Sequence, residues 1–219
     1  MTHVLYPEGY ALAPWPTVAA DEELEARLVE RLIARDERAF NELVRAYERR
    51  VFALILRMLG GNRSEAEEVS QEVFVQVFKA IGTFRGDSKL STWIYRIAVN
   101  LCKNRSKYLK VRREGQKDEL EAVAEHTQLG EGTNANVGRI ERPDEALAGK
   151  QIERIVQEAI MQLEPTFREC LVLRDVEELS YEEIEAITGL AAGTVKSRIF
   201  RARTQLREIV EARMGEKIA

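Results

Sequence analysis

Leu179-Ser180-Tyr181-Glu182-Glu183-Ile184, then Thr188-Gly189-Leu190, then Gly193-Thr194-Val195-Lys196-Ser197-Arg198-Ile199-Phe200-Arg201-Ala202-Arg203 form the stretch that decides the fold. Ser180 with Glu183 three residues later is a capping box, so a helix opens there. Ile184 and Ile187 face inward, and Gly189 admits the positive φ that a tight turn costs other residues. In the helix that follows, Val195, Ile199, Ala202, Leu206 and Ile209 keep the spacing of a packed side. That leaves Lys196, Ser197, Phe200, Arg201 and Thr204 on the opposite face. Helix, turn and basic helix read as a helix-turn-helix, which lays its second helix in the major groove of DNA. Lys and Arg reach guanine acceptors there, and Phe and Thr touch thymine methyls. Arg198, Arg203 and Arg207 flank this face and are expected on phosphates. The plain alternative is a solvated basic face on a packed helix.

Upstream, Ile152, Ile155, Val156, Ala159, Ile160 and Leu163 line one side of a helix. Pro165 suits the first turn of another, which carries Phe167, Leu171 and Val172. The segment before these, residues 114–145, breaks the helical pattern. It holds Gly115, Gly130, Gly132, Gly138 and Pro143, with nine acids against Lys117, Arg139 and Arg142, a net of −6. A stretch this long between periodic segments reads as a flexible acidic linker between two domains.

The first half is helical almost throughout from Asp21 to Arg113. Phe40, Leu43, Val44, Tyr47, Val51, Leu54, Ile55 and Met58 keep helix spacing, and Gly60-Gly61-Asn62 stops that helix. Ser64 with Glu67 reads as a capping box for the next. Its stripe is Val69, Val73, Val77 and Ile81, with Phe74 and Phe78 beside it, and Gly82 ends it. After the loop Phe84-Arg85-Gly86-Asp87-Ser88-Lys89, one long helix runs from Leu90 to about Arg113, burying Trp93, Ile94, Ile97, Ala98, Leu101 and Cys102. Residues 1–20, with Pro7, Pro14 and Pro16, read as an irregular tail and not a signal peptide. No segment alternates with the period of a strand, so the expected class is all-α: two small helical domains joined by the linker, the second containing the helix-turn-helix.

The 219 residues carry a net charge of −4, which looks wrong for a partner of DNA. The charge is segregated, however. Residues 85–113 hold nine Lys and Arg against Asp87 alone, a net of +8, and residues 196–213 hold six against Glu208 and Glu211. Local field, not total charge, guides a polyanion. Within the first basic block, Trp93, Tyr95, Arg96, Asn100, Lys103, Asn104, Arg105 and Lys107 combine stacking surfaces, amides and cations, the groups that binding of single strands needs. Asp87, Ser88, Lys89, Ser91 and Thr92 at the preceding loop can meet the edge of an extruded base. Trp93 and Tyr95 could instead be core. Glu65, Glu67, Glu68, Gln71 and Glu72 crowd the first turns of the preceding helix. They suit its dipole as a solvated face, or form a protein-docking rim around Phe74 and Phe78.

Cys102 and Cys170 lie far apart without a metal-binding spacing, and read as two reduced, buried thiols. His3 and His126 sit in presumed flexible segments. No catalytic triad, phosphate-cradling glycine loop or metal-ligand pattern is present, so no catalytic residue, metal or cofactor is expected, and no small-molecule substrate.

The chain resembles the extracytoplasmic-function sigma factors of bacterial RNA polymerase, the sigma-E-like members above all. Three ordered stretches carry the resemblance: Glu65-Ala66-Glu67-Glu68-Val69-Ser70-Gln71-Glu72-Val73-Phe74; Phe84 through Ser88 with Thr92-Trp93-Ile94-Tyr95-Arg96-Ile97-Ala98-Val99-Asn100; and Leu179 to Arg203. It implies a region 2 domain over 21–113, a linker over 114–145 and a region 4 domain over 146–219. Glu65, Glu68, Gln71, Glu72, Phe74 and Phe78 would then meet the β′ clamp helices of core RNA polymerase, which also presents its β subunit. Lys89, Ser91, Thr92, Trp93, Arg96, Asn100, Lys103, Asn104 and Arg105 would hold the melted −10 element. Lys196, Ser197, Arg198, Phe200, Arg201, Arg203 and Thr204 would read −35 duplex. The resemblance further implies an anti-sigma factor, a cytoplasmic location and, through that factor, retention at the inner membrane. The acidic linker would thread toward the polymerase's active-site and RNA-exit channels. Two departures stand out: Ala191 and Ala192 occupy the place where many relatives have a proline before the recognition helix, and residues 1–20 have no counterpart in the minimal plan. The rivals are a free-standing helix-turn-helix regulator, which leaves residues 85–113 without a role, and a nucleic-acid enzyme, which lacks a site.

Overall fold

The computed structural model describes residues 22–123 and 144–215. The expected tail over 1–20, His3, and the linker's middle with His126 lie outside the described residues. Among those described, eight α-helices follow one another: α1 (Glu22–Ile33), α2 (Glu37–Met58), α3 (Arg63–Ala80), α4 (Leu90–Val123), α5 (Asp144–Gln162), α6 (Pro165–Leu171), α7 (Tyr181–Thr188) and α8 (Ala192–Met214). A 3-10 turn, Ile81–Thr83, closes α3, and a π-helical turn, Val172–Val176, continues α6.

The N-terminal bundle is built on the apolar stripes. Leu43, Val51, Leu54 and Ile55 of α2 are buried against Val69, Val73 and Val77 of α3 and Ile94 and Ala98 of α4. Each such valine, leucine or isoleucine removed from water contributes about 1.5–3 kcal/mol. Two boundaries differ from those the sequence suggests. Asn62, not Ser64, caps α3: its side-chain oxygen accepts from Glu65 N at 3.3 Å. Ser64 already lies inside the first turn, and Glu67 pairs with Arg63 at 2.9 Å instead of reaching back. Nor does α4 end near Arg113. It runs to Val123, through Glu114 and the Gly115-to-Val123 segment assigned to the linker. Glu, Gln, Lys, Leu and Ala are strong helix formers there, and one interior glycine costs only about 1 kcal/mol.

In the C-terminal bundle, Pro165 opens α6 after Glu164, whose carboxylate accepts from Thr166 N. Ala159, Ile160, Leu171, Leu173, Ile184, Val195 and Ile199 form its interior. Ile152 is half exposed, so the α5 stripe begins to be covered only at Ile155. The two bundles pack together with a continuous apolar cluster between them. The α2–α3 turn touches the end of α5: a Cβ on Gly61, which sits at φ 83°, would lie 2.7 Å from the Met161 sulfur. A side chain there is excluded twice, by conformation and by contact.

Candidate nucleic-acid and polymerase interface

The helix-turn-helix is assembled from local signals. Glu183 N donates to Ser180 Oγ at 3.1 Å and Ser180 N donates to Glu183 Oε2 at 2.9 Å, the reciprocal box that the sequence suggests. Gly189 ends α7 at φ 72°. No side chain caps α8: Ala191 stands at that position in extended backbone, so the helix starts at Ala192 without the usual proline. Val195, Ile199, Ala202 and Val210 are buried, and Lys196, Ser197, Phe200, Arg201 and Thr204 are exposed. Phe200 is 72% exposed, a large apolar ring held in water at the centre of a basic face.

The arginines that flank this face are less free than their spacing suggests. Arg203 grips Asp175 with both forks, Nε at 2.9 Å and Nη2 at 2.6 Å. Arg198 is half buried and its charge lies close enough to act on the Cys170 thiol, so it faces the bundle as much as the solvent. Tyr181, at the start of α7, takes Arg174 over one part of its ring at 4.9 Å and Lys196 at 5.4 Å. These cation–π contacts orient Lys196 at the N-terminal end of the recognition helix. The sequence reading missed Asp175 and Tyr181. Both lie outside the basic helix, and only packing brings them to it.

The second face surrounds the start of α4. Glu25 Oε1 accepts from Leu90 N at 2.9 Å, so a carboxylate from α1 caps α4. An open cleft of about 480 Å³ lies beside it, lined by Glu25, Val29, Phe84, Arg85, Ser88 and Lys89. Phe84 forms its apolar wall and packs on Trp93, ring centroids 5.5 Å apart. Lys89 borders the cleft as expected, whereas Ser91 and Thr92 are 3% and 2% exposed and do not line it. They face inward because the first turn of α4 is enclosed on that side. Trp93 and Arg96 are half buried, Asn100 and Asn104 exposed. Glu25 and Val29 could not be found from the motif, because they lie some sixty residues upstream.

The third face is the outer side of α3. Gln71 and Glu72 are exposed, and Phe78 is 42% exposed. Phe78 is fixed by Phe40 edge-on at 5.2 Å and by the Arg35 guanidinium 4.7 Å from its centroid. Phe74 differs from the expectation of a surface anchor. It is buried, since its position falls within the α3 stripe that meets the core. Glu65 and Glu68 both pair with Arg105 of α4, at 2.9 and 3.1 Å, which ties the acidic face to the basic block and occupies that arginine.

Cys102 and Cys170 are free and buried, and burial pushes their thiols up to about 12 and about 11. Both are inert protonated thiols at neutral pH. Among the described residues no cluster of His, Cys, Asp and Glu fits a metal ion, and no helix is long and apolar enough to cross a membrane.

A helical bundle with a cleft beside a basic helix, carried with a helix-turn-helix on one chain, defines a two-part reader of DNA. Comparison with known proteins makes the class specific. The family model for sigma-70 region 2 matches residues 43–113, and that for sigma-70 region 4 matches residues 153–206. The RNA polymerase sigma-H factor of Pseudomonas aeruginosa is 38% identical over 89% of this chain and 98% of its own. The ECF RNA polymerase sigma-E factor of Escherichia coli K12 is 38% identical over 80% of this chain and 88% of its own, and that of Haemophilus influenzae 36% over 89% and 100%. Among solved structures, CnrH in complex with the cytosolic domain of CnrY shares the fold at TM-score 0.57 and 22% identity, covering 86% of this chain and 97% of that one. The sigma factor RpoE bound to the anti-sigma factor NepR from Bartonella quintana does so at TM-score 0.54, 22% identity and coverage of 78% and 96%. The chain belongs to the extracytoplasmic-function group of sigma-70 factors. It is an alternative sigma factor that directs RNA polymerase to promoters, a role in transcription initiation that involves no catalysis of its own.

Proposed function

We propose that the work of promoter recognition is divided among the three faces as follows. The bundle of α1–α4 binds core polymerase through the outer side of α3, where Phe78 supplies the apolar anchor and Gln71 and Glu72 the polar rim. The cleft at Phe84, Arg85, Ser88 and Lys89 receives an unpaired base of the −10 element, with Trp93, Arg96, Asn100, Lys103 and Asn104 along the emerging strand. The exposed side of α8 reads −35 duplex through Lys196, Ser197, Phe200, Arg201 and Thr204. One observation carries this reading: Phe200 and Arg201 stand outward while Val195, Ile199, Ala202 and Val210 of the same helix are buried. A free-standing regulator would leave the cleft and the exposed Phe78 unused. The unit boundaries, 21–113 and 146–219 with the acidic stretch between, belong to the same proposal, as does the passage of that stretch through the polymerase channels. The RpoE neighbour is bound to an anti-sigma factor. A partner of that kind, which would hold this chain in the cytoplasm or at the inner membrane, is part of the reading.

Equilibrium binding of the labelled chain to core polymerase tests the first step, and promoter binding the third. Phe78→Ala is expected to weaken core binding. Arg201→Ala is expected to cost about 1–3 kcal/mol in promoter binding with core binding intact. Equal loss of both by Arg201→Ala would make that residue structural. Duplex binding without any affinity for core polymerase would sink the assignment of the three faces.

A further inference from the structure

Helix α4 continues past the point where the bundle covers it. As far as Cys102 it has a buried side, Ile94, Ala98 and Cys102 among it. From Ser106 to Arg112 only Ser106 and Leu109 are half buried, and Lys107, Tyr108, Lys110, Val111 and Arg112 are exposed. After Phe200, Val111 at 67% and Tyr108 at 58% are the most exposed large apolar side chains among the described residues. They sit in a stretch, residues 103–113, with six Lys and Arg and no acid. The helix runs unbroken to Val123, so this stretch is a stiff rod and not a loop.

The order of these side chains around the rod says what it fits. Successive residues of an α-helix turn by about 100°. Around the axis the exposed groups therefore run Lys110, Lys107, Val111, Tyr108, Arg112, over an arc of about 200°. Cations stand on both flanks and an apolar pair lies between them. A single strand has one row of phosphates, and a docking surface on a protein would meet one side of the helix with its apolar groups together and its charges paired at the rim. The major groove of duplex DNA has the matching form: phosphates along both walls and base edges on the floor. It is about 12 Å wide and admits an α-helix. Lys and Arg on the flanks reach the walls, while Val111 and Tyr108 face the floor, where the thymine methyl is the apolar group. Trp93, Asn100, Asn104, Lys107 and Val111 share one side of α4, so the rod continues the track that starts at the cleft.

We propose that the Lys107–Arg112 segment of α4 is a second duplex-binding helix. It lies in the major groove of the DNA that flanks the melted segment, on the flank that faces the −35 element, because α4 carries the chain toward the bundle that reads that element. Its contacts are mostly to phosphate, with a preference for thymine beneath Val111 and Tyr108. This rests on the division of faces given under the proposed function.

The test uses the full chain assembled with core polymerase and a promoter that this holoenzyme selects from a random-sequence library. The double variant Lys110→Gln with Arg112→Gln changes two exposed residues. It should weaken promoter binding about tenfold and make the logarithmic salt slope shallower by about 2. Affinity for core polymerase and for the single-stranded −10 oligonucleotide of the same promoter should stay at the wild-type value. Val111→Cys carrying an iron chelate gives the position. Cys102 and Cys170 are buried, so the new thiol alone is labelled, and strand cuts are expected in the duplex between the −10 and −35 elements. Unchanged promoter affinity and slope, an equal loss on the single-stranded oligonucleotide, a loss of core binding, or cuts outside that duplex would each overturn the inference while the three faces stand. A wild-type holoenzyme that selects no promoter, or that does not hold the single-stranded oligonucleotide, would bring down the proposed function and this inference with it.

Discussion

Replacing Tyr95 by Phe removes one oxygen from the middle of the contact between the bundles. The ring still fills its site, which is fully buried, so packing is preserved. What disappears is the 2.6 Å bond to Glu177, leaving a carboxylate that is 4% exposed without the donor on Oε2. Hydrogen bonds to charged groups are worth about 1.5–3 kcal/mol, and an orphaned buried acceptor costs on the same scale. A loss of about 2 kcal/mol is expected. Glu177→Met should cost less, because the group left behind is a neutral hydroxyl. The double variant should be more stable than Tyr95→Phe alone, since replacing both partners by apolar groups relieves both desolvation penalties. Urea unfolding of the four chains gives the coupling energy. Acidity supplies a second readout. Burial pushes the Glu177 carboxyl above its ordinary range, with the Tyr95 hydrogen bond and Arg57 opposing. A carboxyl raised by folding contributes stability that is full below its unfolded value and is lost as pH rises through the raised folded value. Wild type should therefore lose stability relative to Glu177→Met as pH rises across that window. Additive single variants together with parallel pH curves would refute the reasoning.

Phe74→Ala and Phe78→Ala should separate two roles that the sequence lends to both residues: the first costs about 3–5 kcal/mol of unfolding free energy as a buried aromatic, whereas the second changes melting little and acts on polymerase affinity. Asp175→Asn frees Arg203 from its two-pronged pair, so the logarithmic salt slope of duplex binding should steepen by about 1, and an unchanged slope would mean that Arg203 never meets a phosphate. Ser180→Ala removes half of the capping box from a helix only eight residues long; thermal unfolding should report a loss of about 1 kcal/mol, with weaker duplex binding wherever α7 frays.

The helix-turn-helix was legible in the sequence because its signals are local. Ser180 and Glu183 are three residues apart, Gly189 carries its own conformational freedom, and the sides of α8 follow from a period of 3.6. The same holds for the buried stripe Val69, Val73, Val77 and Ile81, all of which the core covers. Local capping was also where the reading slipped: Ser64 and Asn62 both carry a cap's chemistry two residues apart, and only backbone geometry chose Asn62.

By itself, then, the sequence determined the all-α class, the basic face of α8 and the cleft loop with Lys89, since periodicity, caps and charge blocks act over a turn or two of chain. Tertiary structure decided which of those chemically suitable groups are available. Ser91, Thr92, Tyr95 and Phe74 are polar or aromatic residues in the right motif, yet all four are buried, and Tyr95 meets Glu177 82 residues away. Lys103 and Arg203 are committed to Glu169 and Asp175, and the cleft borrows Glu25 and Val29 from α1. Burial and ion pairing are long-range sums over everything that packs against a residue, and no periodicity in the chain encodes them.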